Sequence, residues 1–168
     1  GIFPVGIVGD FPAMKYAANA AAMSVFSIEQ WGDIEWESFD AAFRGCRVMV
    51  LNAMDAPDLS QVTSMSRAFE ACDLLNAPMN DWDVSNVTDM SFMFANSVAF
   101  NQDLNDWDVS NVTTMNSMFI GADSFNGDIS AWDVSSVTDF YQMFRDADVF
   151  NGDVSGWNTE SALTFGYM

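Results

Sequence analysis

Histidine is absent from this chain of 168 residues, and basic residues are scarce. Five Lys and Arg stand against 24 Asp and Glu, which gives a formal net charge of −19 at pH 7. Without histidine the chain lacks the commonest general base and the commonest transition-metal ligand. With so few cations it also lacks the clustered Lys and Arg that nucleic acids and anionic membrane surfaces require. The acidity instead favours cation binding, a basic partner, or solubility in salty water.

Long apolar runs are missing as well. No stretch approaches the roughly 18 consecutive apolar residues of a membrane-spanning helix. The apolar segment 2–8 is interrupted by Pro4 and has no basic residues before it, so it does not fit a signal peptide. Because the chain begins with Gly1 rather than Met, we expect a processed or truncated piece of a longer precursor. Hydrophobic residues make up 50% of the chain, so a folded core is expected.

A short phrase recurs along the chain at steps of 25 residues, apart from a first step of 26. In its full form the unit reads Trp-Asp-Val-Ser-x-Val-Thr-x-Met-x-x-Met-Phe, with Phe-Asn before the next copy. Full or degraded copies begin at Trp31, Pro57, Trp82, Trp107, Trp132 and Trp157. One such unit cannot bury its apolar face alone, so the repeats predict units that stack on one another.

Two spacings follow each other within the unit that begins at Leu104. Trp107 and Val109 alternate with Asp106 and Asp108, which predicts a strand whose aspartates point outward. The apolar residues that follow are spaced three and four apart, which predicts one face of a short helix. These residues are Val112, Met115, Met118, Phe119 and Ala122. We therefore predict an α/β repeat solenoid of the leucine-rich-repeat type, with about six coils of strand plus short helix and a parallel sheet on one face.

The predicted boundaries divide the chain into a cap and a solenoid. Residues 1–27 fall outside the repeat, and the alanine-rich stretch after Pro12 predicts a helix that covers the first coil. Residues 28–168 form the solenoid, with strands near 28–34, 54–60, 79–85, 104–110, 129–135 and 154–160. Since the last coil is too short to complete its helix, we expect an open apolar end, where the natural protein continues or meets a partner.

The unit resembles those of the BspA-like leucine-rich-repeat surface proteins of bacteria, mycoplasmas and some protists. The phrase above and its Phe-Asn pair carry this resemblance, together with Trp-Gly-Asp-Ile at 31–34 and Ala-Phe-Arg-Gly-Cys at 42–46. It covers residues 28–168. The resemblance implies a secreted or surface-displayed protein that adheres to host proteins or other cells. It carries no shared catalytic residues, and the ligands of the family differ widely.

Stacking would turn each repeat position into a column of side chains. One outward column consists of Asp58, Asp83, Asp108 and Asp133. Like charges directly opposite each other are unfavourable, so these carboxylates bind Ca²⁺ or a basic ligand, cap nearby backbone N–H groups, or simply stay hydrated. A second column, which contains Asp103, Asp128 and Asp153, is typical of turns. Neither column matches an EF-hand loop.

Amide and indole columns have structural interpretations. A buried ladder that satisfies backbone groups of neighbouring coils is predicted for Asn76, Asn101, Asn126 and Asn151. Core positions are predicted for Trp82, Trp107, Trp132 and Trp157, the last of them partly open. The repeated methionines are predicted to pack in the core rather than to bind copper.

Cys46 and Cys72 are the only cysteines and occupy one column in neighbouring coils. Stacking would bring their Cα atoms within disulfide range, about 4.4–6.8 Å. The same column contains Ala122 and Ala147, which favours two small buried thiols instead. Both alternatives remain open from the sequence.

A binding protein is predicted rather than an enzyme. The repeat contains no long insertion, no nucleophile paired with a base, and no glycine-rich phosphate loop. The leading hypothesis is a surface-displayed adhesion or recognition module that presents an acidic strand face to a protein or glycan. The partner-binding residues expected are Asp81, Asp83, Asp106, Asp108 and Asp133, with Phe165, Tyr167 and Met168 at the end of the chain. The alternative is a structural accessory or scaffold subunit that docks through its open C-terminal coil into a larger assembly.

Overall fold

The structure, a computed structural model, describes residues 25–168. No helix occurs within this range, and its strands are only β1, Ser27–Ile28, and β2, Val50–Leu51. They pair in parallel with Ser27 opposite Val50. The predicted α/β solenoid, with its coils of strand plus helix, is therefore wrong. The predicted N-terminal helical cap lies almost wholly outside the described residues.

The segment predicted as a helix is a series of tight turns, because left-handed residues interrupt it. In one unit both Phe92 and Asn96 have a φ of 57°, whereas every residue of an α-helix needs a negative φ. The backbone N–H of Met93 donates to the carbonyl of Met90 at 3.2 Å, three residues earlier, instead of four. Positive φ recurs at the equivalent positions of the other units, which are Ala41, Gly45, Arg67, Ala71, Ser117, Gly121, Gln142, Asp146 and Tyr167.

Backbone groups that do not close turns join neighbouring units. The N–H of Phe92 donates to the carbonyl of Asn116 at 2.8 Å, and the N–H of Phe94 donates to that of Met118 at 2.9 Å. Along this segment the backbone N–H groups alternate: one donates to a carbonyl of its own unit, and the next donates to a carbonyl of the following unit. This alternation, and not a helix, accompanies the apolar spacing of three and four. A spacing argument alone cannot separate this arrangement from a helix.

Parallel pairing between successive units occurs at single residues of this same segment. Four of the five bridges in the described residues join Ser64 to Asp89, Asp89 to Thr114, Thr114 to Asp139, and Asp139 to Thr164, and the fifth joins Glu35 to Asp58. Of the predicted strand 28–34 only Ile28 lies in a strand, and the predicted strands 54–60, 79–85, 104–110, 129–135 and 154–160 are not strands. Their backbone forms turns instead: the N–H of Trp82 donates to the carbonyl of Met79 at 3.2 Å.

The core is built from equivalent side chains that lie one above another. The Phe69 and Phe94 rings stack with centroids 5.8 Å apart, Phe94 and Phe119 at 5.6 Å, and Phe119 and Phe144 at 5.7 Å. Phe69, Phe94 and Phe119 are fully buried. Burial of one such side chain contributes about 1.5–3 kcal/mol, so the aromatic stack favours the alignment of equivalent positions.

Candidate binding face

Exposed aspartates form one face of the stacked units, which we call the acidic face: Asp81, Asp83, Asp106, Asp108 and Asp133. They alternate with buried core residues, as Asp106 and Asp108 do with Trp107 and Val109. The predicted alternation is therefore present, although a series of turns produces it rather than a strand. All five residues of the acidic face belong to the predicted partner-binding set.

A serine two residues later anchors each carboxylate of the first aspartate column. The backbone N–H donates to the Oδ1 atom of the aspartate over 3.0–3.1 Å in all four pairs. The hydroxyl and N–H of Ser85 hold the pKa of Asp83 below its ordinary value. Similar bonds from Ser60 and Ser135 lower the pKa of Asp58 and of Asp133.

Metal binding by this column stays a prediction. The carboxylates of Asp58, Asp83, Asp108 and Asp133 act as caps for turns, which is one of the alternatives that the sequence left open. Within residues 25–168, no group of three or more His, Cys, Asp or Glu side chains is arranged to hold a metal ion.

The second aspartate column also stabilises turns. Asp128 and Asp153 accept from the backbone N–H groups of Ser130 and Ser155, both at 2.9 Å. Asp103 reaches the next unit, since its Oδ1 accepts from the N–H of Asp128 at 2.8 Å. These contacts lower the pKa of Asp128 and Asp153 and add further ionised carboxylates to the exposed surface.

The asparagine column forms a ladder at the surface. Asn76 Oδ1 accepts from the N–H of Asn101 at 2.9 Å, Asn101 from Asn126 at 2.8 Å, and Asn126 from Asn151 at 2.7 Å. All four residues are exposed, whereas the sequence predicted buried amides. Each side chain therefore fixes the backbone of the unit that follows it.

Indole rings line up along the later units. Trp107 and Trp132 stack at 6.4 Å, and Trp132 and Trp157 at 6.1 Å. The Nε1 of Trp107 donates to the carbonyl of Met79, and that of Trp132 to the carbonyl of Leu104, both at 2.7 Å. Trp157 is half-buried.

The two cysteines are buried thiols and are not joined by a disulfide. The Sγ of Cys72 donates to the carbonyl of Phe43 at 3.1 Å. Burial raises the pKa of Cys46 to about 11 and raises that of Cys72 as well. Both groups are therefore protonated near neutral pH and poorly suited to act as nucleophiles.

The last unit carries exposed apolar side chains. Phe165, Tyr167 and Met168 are 43%, 73% and 44% exposed, and Leu163 is 86% exposed. Phe165 still stacks on Phe140 with centroids 5.3 Å apart. These residues lie apart in sequence from the acidic face and have different chemistry.

A cavity of about 330 Å³ opens where the repeat is irregular. The sequence step from Trp31 to Pro57 is 26 residues, and Pro57 stands where the next units have tryptophan. We call this space the register-break cavity; its walls include Trp31, Met54, Asp55, Asp81, Trp82 and Asp106. The Trp31 and Trp82 rings meet edge to face with centroids 5.4 Å apart, across the unit that lacks the indole.

A family model described as "Mycoplasma protein of unknown function, DUF285" matches residues 37–157, which is more than half of the chain. The chain belongs to the DUF285 family. The comparison with curated proteins and the comparison with solved structures found no match. In the part of this DUF285 chain that the structure describes, no helix is long and apolar enough to cross a membrane.

Sequence reasoning missed the register-break cavity of this DUF285 protein. Asp81 and Asp106 were predicted to bind a partner, but Trp31, Met54 and Asp55 were not singled out. Two signals could have found them, namely the step of 26 residues and the proline in the tryptophan column. Departures from a consensus are where functional residues of a repeat protein are expected.

Proposed function

We propose that the chain is a non-enzymatic recognition module of BspA-like type, secreted or displayed at a cell surface, that binds a basic protein partner through the acidic face. The observation that carries this proposal is a row of exposed carboxylates whose positions are fixed by turns. Fixed charges lose little conformational freedom on binding, so a partner with complementary cations gains affinity and a fast association rate.

The described part of the chain supplies no arginine to neutralise this face. Each of its four arginines forms an ion pair with a carboxylate outside the acidic face. Arg44 and Arg67 contact Glu70, Arg47 contacts Asp73, and Arg145 contacts Asp146. Aspartates one unit apart repel each other: bonds from Ser85 lower the pKa of Asp83, and the charge of Asp58 opposes this shift. A basic partner would relieve that repulsion.

The proposal is tested by titration calorimetry with a Lys- and Arg-rich peptide at two salt concentrations. Changing Asp83, Asp108 and Asp133 together to Asn should weaken binding about tenfold or more and flatten its salt dependence. The matched control changes Asp123, Asp146 and Asp148 to Asn, which removes the same charge from exposed positions outside the face. Equal weakening by both triple variants would show that only net charge matters and would contradict the proposal.

A second candidate is a scaffold subunit that docks through the last unit, and the exposed side chains there favour it. Apolar contacts are not screened by salt, unlike those of the acidic face. A complex isolated from the natural source should then survive high salt and dissociate when Leu163 is changed to Asp. Loss of the partner at high salt with no effect of Leu163→Asp would argue against this candidate.

A further inference from the structure

Two Asn-Gly pairs lie in identical stretches of sequence, Phe-Asn-Gly-Asp at 125–128 and again at 150–153. An asparagine that precedes glycine is chemically labile, because glycine has no Cβ atom to hinder attack of its backbone nitrogen on the asparagine side chain. Since the local sequences are the same, the intrinsic reactivity of the two pairs is the same. The fold therefore decides which pair reacts first.

The first pair is held at both of its residues. The Oδ1 of Asn126 accepts from the backbone N–H of Asn151 at 2.7 Å, so its side-chain amide is fixed in the asparagine ladder. Gly127 is buried, and a Cβ atom there would overlap the backbone carbonyl of Gln102 in the preceding unit. The side chain of Asn126 cannot turn toward the nitrogen of Gly127 without breaking this bond and moving a closely packed backbone.

The second pair is less constrained. Asn151 is exposed, and the described residues offer no hydrogen-bond donor to its Oδ1. Gly152 is only partly buried: a Cβ atom there would meet the Phe150 ring at 2.9 Å, whereas the nearest backbone atom of the preceding unit, the carbonyl oxygen of Gly127, is 3.9 Å away. Both the attacked side chain and the attacking nitrogen are therefore more accessible to water than in the first pair.

We propose that Asn151 is a site of spontaneous deamidation, and that the fold protects Asn126 from the same reaction. The backbone nitrogen of Gly152 attacks the Cγ of Asn151 and loses its proton. A five-membered succinimide ring forms, and the side-chain nitrogen leaves as ammonia. Water then opens the ring at either carbonyl and yields aspartate or isoaspartate. The net reaction consumes one water and releases one ammonia, so it needs no oxidant, reductant or enzyme.

The product differs from asparagine in charge and in the length of the main chain. Both products add a negative charge to a surface that already carries Asp128 and Asp153. In isoaspartate the main chain is also one carbon atom longer, just before the last copy of the repeat at Trp157. This modification is independent of the proposed function, and either can be wrong without the other.

The test follows both pairs in one sample of the folded protein. The protein is aged in ¹⁸O-labelled water at mildly alkaline pH and then digested with pepsin in ordinary water, so that only deamidation during ageing carries the label. Mass spectrometry with electron-based fragmentation separates isoaspartate from aspartate at each position. Asn151 should deamidate about fivefold or more faster than Asn126, because reaction at Asn126 must first break a hydrogen bond.

The same protein aged in urea is the matched control, because unfolding removes the contacts and leaves the identical local sequences. There the two asparagines should deamidate at equal rates. The Asn151→Gln variant should lose the acidic species that isoelectric focusing detects in the aged folded protein. Equal rates at the two positions in the folded protein, faster reaction at Asn126, or aspartate without isoaspartate at position 151 would each overturn the proposal.

Discussion

Single residues with left-handed backbone determine the path of each unit. A positive φ costs a residue with a side chain about 1–2 kcal/mol, yet most of these positions do not contain glycine. The inter-unit bonds made nearby, such as that from Phe92 to Asn116, offset this cost. The strain is therefore local and can be relieved one position at a time.

Asp146 offers a direct measure of that strain, since it is exposed and has a φ of 58°. Asp146→Gly should stabilise the protein by about 0.5–1 kcal/mol, because glycine adopts this conformation without steric cost. The control is Asp148→Gly, which removes the same charge at an exposed position without positive φ and should destabilise by a similar amount. Urea unfolding at pH 7 measures both, and a loss of stability in both variants would contradict the prediction.

The serine after each anchored aspartate should control the ionisation of that aspartate. Bonds from the hydroxyl and N–H of Ser85 lower the folded pKa of Asp83, with the hydroxyl as the larger cause. Ser85→Ala should therefore raise this pKa toward its ordinary value, as measured by ¹³C NMR titration of the carboxyl group. Asp133, anchored by Ser135, is the internal control and should titrate as in the unchanged protein.

The hydrogen bond between Ser85 and Asp83 also makes the free energy of unfolding depend on pH in a defined direction. Because the folded pKa of Asp83 is lowered, the bond stabilises the protein above the unfolded pKa, about 3.9, and this contribution is lost as pH falls through the folded pKa. The difference in unfolding free energy between the protein and Ser85→Ala should therefore be largest near neutral pH and shrink below about pH 4. A difference independent of pH would show that Ser85 acts only through packing.

At the scale of the element, the repeat period and the inward positions could be predicted, but the backbone could not. Trp107 and Val109 are buried between exposed aspartates, as their alternation predicts. The helix failed because apolar spacing does not reveal the sign of φ, and residues such as Phe92 and Arg67 give no glycine signal. The strands failed because alternation also arises from turns that place every second side chain in the core.

Gly127 lies where the backbones of two neighbouring units approach closely. A Cβ atom on Gly127 would overlap the backbone carbonyl of Gln102 in the preceding unit, whereas a Cβ on Gly156 would meet nothing within 4 Å. Gly127→Ala should thus force the two units apart and destabilise the protein by about 2 kcal/mol or more. Gly156→Ala should be neutral or stabilise by up to about 1 kcal/mol.

Thermal unfolding of the two variants, followed by circular dichroism, checks this contrast. The unchanged protein and the Gly156→Ala variant should unfold at similar temperatures, while the Gly127→Ala variant should unfold earlier. Similar melting temperatures for both variants would mean that the backbones of neighbouring units are not in close contact at Gly127.

At the scale of the whole molecule, a formal charge of −19 opposes compaction. Sodium chloride should therefore raise the melting temperature at neutral pH by screening. If the first aspartate column binds Ca²⁺, millimolar Ca²⁺ at equal ionic strength should raise the melting temperature further and in a saturable manner. Equal melting temperatures in the two salts would contradict the calcium hypothesis.

The candidate site was only partly predictable from the sequence, because part of it depends on how several units pack together. A row such as Asp83, Asp108 and Asp133 repeats, so the sequence reveals it directly. The register-break cavity depends on Trp31 and Trp82 meeting across the intervening unit, and that contact follows from three-dimensional packing around a missing indole. A repeat pattern predicts what recurs, but it does not predict how neighbours fill a gap.

Bonding between adjacent units also sets how the molecule responds to mechanical force. Hydrogen bonds such as that from Thr138 to Thr113 hold each unit to the one beside it, so tension applied to the ends should detach units from the edge inward. Each detachment would release one repeat of 25 residues, or about 85 Å of extended chain. A tether of this kind would lengthen in even increments and would absorb the work of shear one increment at a time.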